Sequence, residues 1–388
     1  MDDAGKINNR IDRKRRRFLK YAVPGVLAGI ALPSLSGCLY LQQEKFGRLP
    51  EGARLSKIQQ SPNYSKGQFH NQVAIKEIVK GGPSVAGFIK YFFHERENPE
   101  PPGPMPVVKT DLKSLDRDRD VVIWLGHSSY FVQLGGCTAL IDPVFSSYAS
   151  PFFFSTRAFA GTNIYTADDM PHIDYLLISH DHWDHLDYPT VMALKPKTGK
   201  VVTGLGVGEH FARWGFPDDM VHEADWDSSL KLDDSLTVHV LTARHFSGRW
   251  LDRNKTLWTS FALETPSRRI FYSGDSGYGP HFKEIGRRFG GFDLVMLDSG
   301  QYNENWKYVH MTPESSAQAA LDLNAAAALP SHTGKFCLAY HSWDDPFKRF
   351  VKASSDKPYR HITPEIGEVV DLADRQQVFA NWWETDLG

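Results

Sequence analysis

Cysteine is scarce in this chain, with three in 388 residues, at positions 38, 137 and 337. That excludes a disulfide framework and an all-thiolate metal site. Cys137 and Cys337 stand in apolar surroundings, so two buried free thiols are expected rather than a bridge. No uninterrupted apolar run reaches the ~20 residues of a good membrane-spanning helix. No repeat period is present, which excludes solenoids and propellers. Strong charge of either sign is also missing, the formal net charge being −2. Residues 1–37 hold eight Lys/Arg and three Asp, leaving 36 basic against 43 acidic residues, a net of −7, for the remainder. So mildly acidic a body offers no broad surface to nucleic acid. The length suffices for one large core or two ordinary ones.

The basic start reads "RKRRRFLKYAVPGVLAGIALPSLSGC". A cationic block precedes an apolar stretch that proline and glycine interrupt, and small residues lead to Cys38, the layout of an export signal. Arg15-Arg16-Arg17-Phe18-Leu19-Lys20 resembles the twin-arginine signal. Leu35-Ser36-Gly37-Cys38 resembles a lipobox, in which the cysteine becomes acylated after cleavage. Residues 1–37 are therefore expected to be a twin-arginine lipoprotein signal peptide. The mature protein is expected in the bacterial cell envelope, facing the periplasm and anchored to a membrane through acylated Cys38.

Residues 38–105 read as an extended arm followed by a Pro-rich connector, "ERENPEPPGPMP" at 95–106, with a short helix or amphipathic segment at 83–94. From 106 to 388 short apolar runs bounded by Gly pairs and polar turns predict strands at 120–126, 130–135, 137–143, 174–179, 200–204, 235–243, 260–265, 269–275 and 292–298. Helices are predicted around 188–195, 206–214, 280–289 and 313–323, the last opening on Thr312-Pro313 as N-cap and first-turn proline. This alternation predicts an α/β body with packed sheets.

The stretch "LLISHDHWDHLD" places His180, His182, Asp184 and His185 directly after a strand, where loops display binding residues. Imidazole and carboxylate donors without thiolate suit zinc, iron or manganese. Alternation lets His180 and His182 point one way and Asp184 and His185 another, so one loop can seed two adjacent metals. Two metals demand further donors at later strand ends, and His245 in "TARHFSG", Asp275 in "YSGDSGY" and His332 in "PSHTGKF" stand there. Asp181 and Asp187 are expected to bond locally.

That order of motifs resembles the metallo-β-lactamase superfamily. "VIWLGHSSYFVQLGGCTALIDPVFSSYASP", "FYSGDSGYGPHFKEIG", "VHMTPE" and "SHTGKF" look more narrowly like N-acylphosphatidylethanolamine-hydrolysing phospholipase D and its bacterial relatives. The resemblance implies an αβ/βα four-layer sandwich carrying a site for two divalent ions, with zinc the default and iron or manganese compatible. His180, His182 and His245 would hold one ion and Asp184, His185 and His332 the second, with Asp275 bridging. A shared hydroxide would attack the substrate, so Asp184 and Asp275 also count as catalytic. His310 in "VHMTPE" would meet the reacting group, or else only mark a helix start. Asp142 in "LIDP" would orient ligands, as would His127 in "LGHSS" unless it is structural. His341 is a weaker candidate.

The expected function is then a metal-dependent phosphodiesterase acting on a phospholipid. Phe-rich "PVFSSYASPFFFSTRAFAG", 143–161, either lines an acyl groove or packs into the core. A lactonase or small-molecule phosphodiesterase would use the same metals, and a non-catalytic envelope binding protein could keep the same fold.

Overall fold

The computed structural model describes residues 43–75, 97–152, 155–231, 233–249, 251–385 and 387. The expected signal peptide, Cys38 and the helix or amphipathic segment expected at 83–94 lie outside the described residues. Two units divide the chain, 1–47 and 48–388. In the first, the described residues include a short 3-10 turn, Glu44–Phe46. The second holds the two large sheets.

Strands β3 (Val121–Trp124), β4 (Tyr130–Leu134), β5 (Cys137–Ile141), β6 (Ile173–Ile178), β7 (Thr198–Gly204), β8 (Val221–Ala224) and β16 (Val369–Asp371) form one sheet, in the order β16-β3-β4-β5-β6-β7-β8. Strands β9 (Ser228–Lys231), β10 (Thr237–Leu241), β11 (Ser260–Glu264), β12 (Arg269–Tyr272), β13 (Leu294–Asp298), β14 (Ala327–Ser331) and β15 (Arg360–His361) form the other, ordered β15-β14-β13-β12-β11-β10-β9. Each sheet joins an antiparallel half to a parallel half, changing over at β5/β6 in one and at β12/β13 in the other. The strand ends bearing the histidine motifs gather at one edge.

Strand alternation builds the layers. Val122, Trp124, Val132, Tyr175 and Leu177 of the first sheet share one apolar cluster with Val238, Val240, Phe261, Leu263, Tyr272 and Met296 of the second. Their neighbours Ile123, Phe131, Leu140 and Leu176 face outward instead, onto α2 (Tyr188–Leu194) and α3 (Gly208–Arg213). On the far side Ala262, Phe271, Val295 and Leu297 meet α4 (His281–Phe289), α5 (Pro313–Asp322) and α6 (Asp345–Ser354). The result is a helix–sheet–sheet–helix sandwich. Because both faces of the central strands are covered, they read as unbroken apolar runs. Each such large side chain contributes ~1.5–3 kcal/mol through burial.

The segment expected to be an extended arm is only partly extended. Gly52–Ile58 is a helix, α1, and Tyr64–Ser65 (β1) pairs with Gln68–Phe69 (β2) in a small hairpin. Ile58 and Phe69 are fully buried beside Leu205, Leu257 and Trp258. A helix of about two turns that buries one apolar position leaves little periodicity to detect. The two remaining cysteines are free as expected, though half-buried rather than buried. Of the Phe-rich stretch, Phe159 enters the inter-sheet core and Phe145 packs beside the first sheet, while residues 153 and 154 lie outside the described residues.

Candidate metal centre

Every predicted donor sits where a strand ends. His180, His182, Asp184 and His185 follow β6, His245 follows β10, Asp275 follows β12 and His332 follows β14. Tight backbone turns aim them. His127, Asp142 and His332 adopt left-handed backbone, with φ of 54°, 41° and 60°, a conformation that costs on the order of 1–3 kcal/mol each for such residues and clusters at functional sites. Before Asp275, Gly274 has φ of 56°, and a Cβ there would meet the Thr259 carbonyl at 2.6 Å. Only glycine fits.

Two groups of donors result. In the first, His182 Nδ1 lies 2.9 Å from His180 Nε2 and 3.2 Å from His245 Nε2. Asp275 Oδ2 stands 3.7 Å from His180 Nε2 and 3.5 Å from His245 Nε2. In the second, Asp275 Oδ1 is 3.1 Å from His185 Nε2 and 3.1 Å from His332 Nδ1, and Asp184 Oδ2 is 3.6 Å from His185 Nε2. Asp275 thus turns one oxygen to each group. A third overlapping set joins Asp275 and His332 with His310.

Hydrogen bonds behind the donors choose the ring nitrogens. A carboxylate only accepts, so His185 Nδ1–H must donate to Asp142 Oδ2, at 2.8 Å, leaving Nε2 to face the site. Asp142 also accepts from the Ser179 amide at 2.7 Å, the Ser179 hydroxyl and the Tyr272 hydroxyl at 2.6 Å. With its hydroxyl proton committed to Asp142, Ser179 accepts from His180 Nδ1–H at 2.9 Å. His245 Nδ1–H donates to the Val309 carbonyl at 3.0 Å. His180 and His245 therefore both turn bare Nε2 lone pairs toward His182 Nδ1 and Asp275 Oδ2. Convergent lone pairs of this kind fit a cation.

Electrostatics single out one histidine. Burial, then neighbouring imidazoles, holds His180 far below its ordinary pKa, and burial foremost does the same for His245 and His332 and lowers His182 and His127. His185 is the exception. Burial would lower it, but Asp275, Asp184 and Asp142 together raise it well above the usual value. Burial likewise would raise Asp275, yet His185 and its neighbours bring it down to about 2. Asp184 is held well below the carboxylate range, burial being overruled by His185 and His127.

His127 donates from Nε2 to Asp184 Oδ2 at 2.9 Å, so it holds a donor residue in place, and its ring lies in the second group. His310 is buried, stacks at 5.0 Å on His332 and donates Nδ1–H to Asp298 Oδ2 at 2.8 Å. The helix beginning at Pro313 starts after it, with Thr312 capping through Ser315 N. His341 instead stacks on Tyr302.

Several contributors escaped the sequence reading. Asp298, at the end of β13, is raised to about 7 by burial and orients His310; its position after "VML" was the available signal. Arg249, buried, donates from Nη1 to the carbonyls of Asp181 (2.9 Å) and Leu186 (2.8 Å), and lies 3.9 Å over the Trp183 ring, clamping the motif loop. No local pattern marks it. Asp181 does not bond locally, contrary to expectation: it accepts from His210 Nε2 (3.2 Å), Gly248 N (2.7 Å) and Thr256 Oγ1 (2.9 Å). A buried carboxylate needs such partners, and here the approach of other loops supplies them. Asp187 accepts from Thr190 nearby but also from the Ser146 amide (3.1 Å) and hydroxyl (2.8 Å).

Comparison with known proteins places this geometry. The model described as the beta-lactamase superfamily domain matches residues 138–333. An uncharacterised protein of Mycobacterium tuberculosis is 35% identical over 84% of this chain and 88% of its own length. N-acyl-phosphatidylethanolamine-hydrolyzing phospholipase D 1 of Caenorhabditis elegans is 28% identical over 76% of this chain and 90% of its own. Among solved structures, CmlA, a diiron beta-hydroxylase from Streptomyces venezuelae, shares the fold with a TM-score of 0.51 at 19% identity, over 65% of this chain and 54% of that one.

Proposed function

Because the chain belongs to the beta-lactamase superfamily, we propose that its converging histidines and aspartates hold two divalent ions and that it hydrolyses a phosphodiester bond of a phospholipid, in the manner of a phospholipase D. The observation that carries this reading is the division of Asp275, whose two oxygens face separate groups of buried donors. His180, His182 and His245 would hold one ion, Asp184, His185 and His332 the other, and Asp275 both. Zinc is the default, and iron or manganese suits the same donors. Such a pair supplies activated water near neutral pH and Lewis acidity toward a phosphoryl oxygen.

The chain's own residues do the rest. Asp142 fixes the ring of His185 directly and that of His180 through Ser179. His127 steadies Asp184. His310, its Nδ1 committed to Asp298, presents Nε2 to the same space and can pass a proton to the departing alcohol. The relative in Caenorhabditis elegans, named for a phospholipid substrate, supports the substrate class.

Metal content by elemental mass spectrometry, paired with hydrolysis of bis(p-nitrophenyl) phosphate and then a phospholipid panel, tests the reading. Two ions per chain with cleavage of both substrate types is the expected result. Two ions without phosphodiester cleavage would move the assignment to a lactone, and no metal after reconstitution would overturn it. The reading includes a place in the cell: export by the twin-arginine route and a lipid tether at Cys38, as the motifs at 15–20 and 35–38 suggest. Replacing Arg15 and Arg16 by lysine should leave precursor inside the cell on fractionation; normal export of that variant would sink this part.

A further inference from the structure

Residues 48–71 stand far from the histidine motifs in sequence, yet they bond directly to one of the loops that carry them and reach a second through His210. The Asn71 carboxamide takes both backbone polar groups of His245. Its Oδ1 accepts from His245 N–H at 3.1 Å, and its Nδ2 donates to the His245 carbonyl at 2.8 Å. Trp258 Nε1–H also points at Oδ1, at 3.2 Å, so the oxygen end of the amide must face these two donors. Asn71 is itself anchored. Phe69 N donates to the Asn254 carbonyl at 2.8 Å, Lys255 Nζ donates to the Gly67 carbonyl at 2.7 Å, and Phe69 is fully buried against Trp258.

A second route starts at the other end of the segment. Arg48 N–H donates to His210 Nδ1 at 3.2 Å, which leaves the His210 proton on Nε2, and that proton goes to Asp181 Oδ2 at 3.2 Å. Asp181 lies between His180 and His182. The guanidinium of Arg54 holds this end down on buried Glu209, at 3.0 Å, and on Glu223. Both routes end at the group formed by His180, His182 and His245.

We propose that Asn71 is a positioning residue for the ion held by His180, His182 and His245. It acts through the His245 backbone. The imidazole is fixed at one end by Nδ1–H on the Val309 carbonyl and at the other by the peptide from which the side chain springs. With the His245 backbone clamped by Asn71 at both its N–H and its carbonyl, Nε2 keeps its aim at His182 and Asp275. Partners behind a ligand typically account for ~10–100-fold in metal affinity. The inference rests on the reading that this group holds a divalent ion.

The test uses the full chain, stripped of metal and titrated with cobalt(II), following the visible absorption of the bound ion and the metal content at each step. Wild type is compared with Asn71→Ala, and with Asn63→Ala as a control. Asn63 ties the same segment to the body through Asp225 Oδ1 at 2.9 Å, away from the ligand loops. In Asn71→Ala one of the two cobalt ions should bind ~10–100-fold more weakly and the other as in wild type. Asn63→Ala should match wild type at both. Should Asn71→Ala fail to fold, Asn71→Asp keeps the acceptor for His245 N–H and Trp258 but opposes a carboxylate to the His245 carbonyl, and the same selective weakening is expected. Two wild-type affinities in the Asn71 variant, or equal weakening in the Asn63 and Asn71 variants, would overturn the proposal. A wild-type chain that takes up no cobalt would overturn the metal reading beneath it.

Discussion

The two donor groups are built on opposite principles. Around His180, His182 and His245 the donors are imidazoles that burial keeps neutral, and one oxygen of Asp275 brings the only carboxylate. Around His185 and His332 two carboxylates converge, Asp184 and the other oxygen of Asp275, with Asp142 behind them. There the carboxylates raise His185 well above its ordinary value despite full burial, while burial still holds His332 below its own. The first group is prepared by taking protons away, so its lone pairs wait exposed. The second is prepared by accumulating negative charge around His185. One strand-end loop feeds both, and the difference arises from what other loops bring up to it.

Asp275 is the one residue the two groups share, and its loss should have the largest effect. In Asp275→Asn the isosteric amide removes a formal charge from both groups and aims an NH2 at imidazoles that need an acceptor or a cation. Metal content should fall at both positions. Turnover should fall beyond the ~100-fold that loss of an outer partner costs. Elemental analysis and phosphodiester hydrolysis, with circular dichroism to show an intact fold, check this. A variant that keeps two ions and its activity would show that the two groups do not meet at Asp275.

Asp142 reaches the same two groups from behind, but unequally. It bonds His185 directly at 2.8 Å and His180 only through Ser179. Asp142→Asn should weaken metal binding by ~10–100-fold, the effect expected of an outer partner. The loss should fall harder on the His185 side. Competition with a chromophoric chelator resolves two affinities, and a loss confined to the His180 side would reverse the comparison.

What the sequence made legible follows the same division between local and distant. His180, His182, Asp184 and His185 occupy one loop, and His245, Asp275 and His332 each follow an apolar strand, so residue type and strand pattern were enough to find them. Asp142 and His127 were also visible as strand-end positions. The layers were legible because apolar runs of strand length alternate with helices. What was hidden depends on approach between remote segments. Tyr272 reaches Asp142 across 130 residues, Arg249 reaches the Asp181 carbonyl across 68, and Asn71 reaches His245 across 174. Each is an ordinary polar or aromatic residue in its own neighbourhood, and only the folded contact gives it a role. The helix at Gly52–Ile58 was missed for a related reason, since its one fully buried position, Ile58, shares a cluster with residues of five other segments.

The smallest expected effect is also the one that separates the two groups most cleanly. His185 has a pKa raised above its ordinary ~6.5 because Asp275, Asp184 and Asp142 overcome burial. Its ion pairing therefore stabilises the metal-free fold below the unfolded value, and that contribution is lost as pH rises through the raised value. Asp275, lowered to about 2, behaves oppositely: its contribution is present above the unfolded carboxylate value and is lost as pH falls toward 2. Burial holds His180, His182, His245, His332 and His127 below the ordinary value, so each contributes stability that is present above ~6.5 and lost as pH falls below it. With five such groups against His185 alone, metal-free protein should gain stability as pH rises through ~6.5, the raised His185 offsetting part of that gain. An ion in the second group would replace the His185 proton, so loading near neutral pH should release about one proton from that group and none from the neutral imidazoles of the first. Thermal unfolding from acid to alkaline pH, with and without chelator, measures the first effect. Calorimetry in two buffers of different ionisation enthalpy measures the second. Equal proton release from both groups would mean that their electrostatic difference disappears once an ion is bound.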